Sequence, residues 1–148
     1  MNKPATTLGV VDGLVQLSFL MQRVLGEACA EHDLSIPQAR MLGVLRDREP
    51  GMLELAGLLN VDKSSATGLV DRAEKRGLVR RVVPQHNRRA VLVSLTPQGQ
   101  RLAHAIADEV GRAVGRLTDQ LSARDRAQLD RLITGIVQFD AVRPDTAK

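Results

Sequence analysis

Five residues near the middle of the chain, Lys63, Ser64, Ser65, Thr67 and Gly68, combine hydrogen-bonding side chains with one bare backbone position. If the segment is helical, Lys63, Ser64, Thr67, Gly68 and Asp71 share one face. Ala66, Leu69, Val70 and Ala73 then repeat at i, i+3, i+4 and i+7 on the opposite face. The chemistry available to such a polar face is non-covalent. Small hydroxyls and a lysine at the start of a helix can reach base edges and phosphates in a major groove. A solvated face of an ordinary amphipathic helix has the same pattern. Covalent catalysis is not expected, because His32, His86, His104 and the single Cys29 form no recognisable acid, base and nucleophile set.

The surrounding residues predict how that helix is held. Leu55, Ala56 and Leu59 give an apolar face to a preceding short helix, and Val61 follows as a plug for the turn. Asp62 is a suitable N-cap, since its short acceptor side chain satisfies the free N–H groups at a helix start. Gly77 stops the helix by accepting a left-handed conformation. Leu78 to Val83 and Ala90 to Leu95 are rich in β-branched residues, and Pro84 to Arg89 supplies turn formers and two arginines. Helix, helix and basic-tipped hairpin make a winged helix-turn-helix.

Charge is concentrated in the same place. From Asn60 to Ala90 there are eight Lys or Arg against three acids, a balance of +5, whereas the whole chain is +4. The remainder therefore sums to −1. A local basic excess attracts a polyanion and makes its binding depend on salt, without reading sequence.

The rest of the chain is mainly helical. Leu8 to about His32 forms a long helix whose apolar residues, among them Val11, Leu14, Val15, Leu20 and Val24, cover more than one face. Residues 1–7 are read as a frayed arm. Ser35 and Gln38 form a capping box for a helix from Ile36 to Arg46. Thr96 followed by Pro97 starts a helix of about 24 residues, with a seam through Leu102, Ile106, Val110, Ala113, Leu117 and Leu121. Ser122 and Asp125 cap a last helix striped by Leu129, Leu132, Ile133, Ile136 and Val137. The fold class is thus mainly α with a small β-hairpin wing, a winged helix-turn-helix plus a helical dimerisation region. The expected divisions are 1–34 (arm and dimerisation helix), 35–96 (DNA-binding domain) and 97–148 (dimerisation helices). The end helices either pack on each other within one subunit or interlock with a two-fold mate, the arrangement favoured here.

Two stretches, L-V-D-R-A-E-K-R-G-L-V-R-R from Leu69 and V-S-L-T-P-Q-G from Val93, resemble the core of the MarR family of bacterial transcriptional regulators. The similarity runs from about Leu8 to the C-terminal helices. It implies a homodimer on a roughly palindromic double-stranded operator, with affinity changed by a small-molecule, metal or redox signal. By position, Lys63, Ser64, Ser65, Thr67 and Gly68 match residues that enter the major groove. Arg72 matches an arginine that braces the wing or a phosphate, with an ion pair to Asp71 or Glu74 as its alternative. Arg88 and Arg89 are placed for the DNA backbone or the minor groove. Many members carry Asp-x-Arg-Asp-x-Arg in the wing. With the last arginine set on Arg89, Pro84, His86 and Asn87 replace the other three. A histidine carries less charge than an arginine near neutral pH, so the contact through His86 is expected to be weaker or pH-dependent.

Other readings remain open at this stage. Cys29 and His32 are spaced C-x-x-H, which admits a metal or redox sensor. A lone cysteine is more often a small buried hydrophobe, and no cofactor or metal is expected. Leu17, Met21 and Met41 are candidates to line an effector pocket, and serve equally well as core. A winged helix can also dock an acidic protein. One cysteine and no apolar run long enough for a membrane helix suit a cytoplasmic protein.

Overall fold

The computed structural model describes residues 7–141. It contains six helices and one two-stranded hairpin in the order α1 (Gly9–Ala30), α2 (Ile36–Leu45), α3 (Met52–Leu59), α4 (Lys63–Lys75), β1 (Val79–Val82), β2 (Leu92–Leu95), α5 (Pro97–Thr118) and α6 (Ala123–Ala141). This is the mainly helical, winged architecture predicted above. The arm expected over residues 1–7 lies almost wholly outside the described residues. No described helix is long and apolar enough to cross a membrane.

The chain divides near Gly111 into two compact units. In the first, α2, α3 and α4 surround a core built without aromatic side chains. Met41, Leu42, Leu55, Val70 and Val93 are each at most 1% exposed there. Burial of an aliphatic side chain of this size contributes about 1.5–3 kcal/mol. The apolar stripe of α4 is buried at all four expected positions, Ala66, Leu69, Val70 and Ala73. Ala103 and Ile106 of α5 join the same core.

Local chemistry sets the ends of these elements. Ser35 Oγ accepts from the Gln38 amide while Gln38 Oε1 accepts from the Ser35 amide, a complete capping box. The turn between α3 and α4 is made by Asn60 in the left-handed conformation at φ 53°, a geometry asparagine tolerates. The Val61 amide then reaches back to the Ala56 carbonyl. Val61 does not plug this turn as expected: it is 37% exposed and lines the surface groove beside Ser64 and Ser65. Gly77, at φ 69°, ends the approach to β1, and the Leu78 amide closes the turn on the Ala73 carbonyl.

The hairpin is antiparallel, with Val79 opposite Leu95 and Val82 opposite Leu92. Its strands are shorter than the β-branched runs suggested, since Val83 and Val91 are exposed and unpaired at the base of the loop. A bridge between Gly51 and Leu92 and a hydrogen bond from the Val93 amide to the Pro50 carbonyl tie the wing to the start of α3. Thr96 caps α5 by accepting from the Gly99 amide, and its hydroxyl donates to the Gly77 carbonyl at 2.6 Å.

α1 buries only Val24, Ala28 and Cys29, all in its second half. Val10, Val11, Leu14, Val15 and Phe19 are exposed. In the second unit, Ser122 Oγ accepts from the Asp125 amide, and the Asp125 carboxylate takes the Ser122 hydroxyl rather than its backbone N–H. The reciprocal half of the expected capping box is therefore replaced by a side-chain bond. α6 buries none of its residues. Its stripe of Leu132, Ile133, Ile136 and Val137 is between 44% and 62% exposed.

Candidate nucleic-acid interface

α4 presents the polar residues singled out in the sequence. Asp62, its N-cap, accepts from the Ser65 amide at 2.8 Å and from the hydroxyls of Ser64 and Ser65. Those bonds, Ser64 foremost, hold the Asp62 carboxyl well below the usual carboxylate range. The Thr67 hydroxyl donates to the Lys63 carbonyl. The protons of all three hydroxyls are thus committed within the protein, and their oxygens keep lone pairs for an outside donor. Lys63, Ser64 and Ser65 are exposed, and Thr67 and Gly68 are half-buried.

Arg72 folds back along the helix: its Nη1 would lie 3.3 Å from a Cβ added to Gly68. Glycine at 68 therefore makes room for a guanidinium beside the hydroxyls. Ser35 and Pro37 at the head of α2 complete a shallow groove with Ser64, Ser65, Gly68 and Arg72. The alternative pairing of Arg72 with Asp71 or Glu74 does not form among the described residues. Arg81 on β1 takes both acids instead, with Nη2 2.6 Å from Asp71 Oδ1 and Nη1 on Glu74 Oε2. The hydrogen bond it donates to Asp71 raises the Arg81 pKa above its ordinary value. Sequence reasoning missed Arg81, because the pair spans a helix end and a strand rather than one helical turn.

His86, Arg88 and Arg89 are exposed in the loop of the wing. Asn87 Oδ1 accepts from the Arg89 amide, and the Ala90 amide donates to the Asn87 carbonyl. Asn87 thereby organises the loop by a local turn, where the familiar wing pattern has an acid. Arg88 and Arg89 take part in no ion pair among the described residues.

Two further hydrogen bonds tie the C-terminal end of α4 to the turn after α1. Arg76 donates to the Asp33 carbonyl at 2.6 Å and to the His32 carbonyl at 3.1 Å, which satisfies free carbonyls after α1. His32 Nε2 lies 2.9 Å from Glu109 Oε1 on α5. This contact engages Nε2 of the imidazole and leaves Nδ1 out of it. Cys29 is 1% exposed, and burial, helped by the charge of Glu109, pushes its thiol pKa up. Both effects disfavour the thiolate form of Cys29. Among the residues suggested for an effector pocket, Met41 is fully buried in the core, Met21 is half-buried and Leu17 is exposed on α1.

Comparison with known proteins gives consistent matches. Residues 32–90 match the model of the MarR family. The chain is 31% identical over 116 residues to the homoprotocatechuate degradative operon repressor of Escherichia coli, covering 77% of this chain and 78% of that one. Among solved structures, RV1404 from Mycobacterium tuberculosis aligns with a TM-score of 0.76 at 27% identity, over 92% of this chain and 94% of that one. Wild-type MarR of E. coli in its apo form aligns with a TM-score of 0.71 at 27% identity, over 86% and 96%.

Proposed function

The chain belongs to the MarR family of DNA-binding transcriptional regulators and is not an enzyme; from that premise we propose that it is a repressor that grips a roughly palindromic operator as a homodimer. The observation that carries the reading is the two-sided character of α4. One side is locked into the core through Ala66, Leu69, Val70 and Ala73, and the other offers Lys63, Ser64, Ser65 and Thr67 to solvent within a segment of net charge +5. In this reading Lys63, Ser64, Ser65, Thr67 and Gly68 enter the major groove, Arg72 meets a phosphate, and His86, Arg88 and Arg89 follow the backbone into the minor groove.

Homodimerisation is supported by the uncovered apolar residues of α1 and α6. An isologous pairing of these helices removes them from water and sets two copies of α4 roughly 34 Å apart, one turn of duplex. Residues 35–96 then serve as the reader, and 1–34 with 97–148 as the dimer scaffold. The name of the E. coli relative supports a repressing role. Release follows when a small molecule binds one spacing of the two readers better than the other.

The test combines selection of duplexes from random DNA with sedimentation of the free protein. A selected site with two-fold symmetry and a dimer at low micromolar concentration agree with the proposal. A monomer, or equal affinity for selected and random duplexes, contradicts it.

A further inference from the structure

We infer that Arg81 is a positioning residue for DNA binding, screening the two carboxylates of α4 from the phosphates while it pins the first wing strand to that helix. The inference rests on the DNA-binding reading above and concerns a residue outside the groups proposed to touch DNA. Lys63, Thr67 and Asp71 follow one another at steps of four, so Asp71 continues the stripe that carries the recognition side chains. Glu74 lies three residues further on. Left alone, a carboxylate there repels the phosphates the helix must approach, and α4 itself carries only Lys63, Arg72 and Lys75 against these two acids.

The geometry answers this directly. One guanidinium takes Asp71 on Nη2 and Glu74 on Nη1, and the Arg81 backbone N–H donates to the other Glu74 oxygen at 3.3 Å. The side chain of Arg81 is 29% exposed, whereas Asp71 and Glu74 are 50% and 42% exposed. The carboxylates therefore still face solvent, and it is the cation that is drawn in against the helix. A planar fork with five donors suits two acceptors on successive turns better than an ammonium does. Arg72, freed from these acids, keeps its charge beside Gly68.

The experiment measures binding of the full-length chain by fluorescence anisotropy, using a selected duplex and a random duplex across a range of salt. Arg81→Ala is compared with Asp71→Asn/Glu74→Gln and with the triple variant. The Arg81→Ala chain keeps its core strand pair and the backbone bond to Glu74, and thermal melting checks its fold. Arg81→Ala is expected to weaken both duplexes about fivefold at low salt, the scale of one screened charge contact. Neutralising the acids is expected to raise affinity more in the Arg81→Ala background than in the wild type, with Arg81→Lys intermediate. Equal increments in the two backgrounds would overturn the inference, since a purely structural brace leaves the acids without effect. If Arg81→Ala melts before measurement, Arg81→Lys and Arg81→Gln supply the same comparison. A wild-type chain that holds no duplex would overturn the DNA-binding reading and this inference with it.

Discussion

A Cβ on Gly99 would sit 1.9 Å from the carbonyl oxygen of Leu78. Leu78 O also accepts from the Thr96 amide, so it is fixed between the end of α4 and the start of α5 and has no room to withdraw. Gly99→Ala is therefore expected to destabilise the chain by about 1–3 kcal/mol, the usual cost of forced overpacking. Chemical denaturation checks this, and a midpoint unchanged from the wild type would contradict the packing.

Asp62 links stability to pH. Its carboxyl is held below the ordinary range by the Ser64 and Ser65 hydroxyls and the Ser65 amide. A depressed folded-state pKa means the stabilisation is present above about pH 4, the unfolded carboxylate value, and fades as pH falls toward the folded one. Asp62→Ala is expected to lower the Tm at pH 7, with the difference shrinking as the pH drops below 4. A difference independent of pH would contradict the capping role.

His32 and Glu109 join the end of α1 to α5 across 77 positions in sequence. Their side chains are 25% and 22% exposed, sheltered enough for the contact to matter. Removing both partners is expected to cost less than the sum of the single losses, with a coupling on the order of 0.5–1.5 kcal/mol. Strict additivity in thermal or denaturant unfolding of His32→Ala, Glu109→Gln and the double variant would sink this contact.

Cys29 is buried with its thiol pKa raised, so it stays protonated near pH 7 and shielded from reagents. A thiol reagent is expected to label the native chain slowly and the unfolded chain at once. Fast labelling of the native protein, accompanied by loss of DNA binding, would restore a sensing role.

Arg88 and Arg89, in the loop of the wing, have no partner acids among the described residues. Arg89→Ala is expected to weaken selected and random duplexes alike and to flatten the logarithmic salt dependence by about one unit. Unchanged affinity and slope would remove Arg89 from the interface.

What could be read in advance was local. The stripe of α4, the caps at Ser35, Asp62 and Thr96, and the stop at Gly77 each depend on residues within one or two turns of each other. What escaped was either non-local or conformational. Arg81 meets Asp71 and Glu74 only because β1 folds back along α4, and Arg76 reaches the carbonyls of His32 and Asp33 more than 40 positions away. The left-handed conformation of Asn60 is a choice of backbone basin that side-chain periodicity does not encode. Met41 was ambiguous because core and pocket draw on the same apolar residues, and its complete burial fits either use.

The central claim, two α4 helices reading one face of a duplex at a fixed separation, is tested most directly by changing the spacing of the half-sites. Anisotropy titrations would compare a selected duplex with the same duplex carrying about five extra base pairs at its centre, half a helical turn. The account predicts that the insertion reduces affinity to that of random DNA. Undiminished binding to the lengthened site would contradict it.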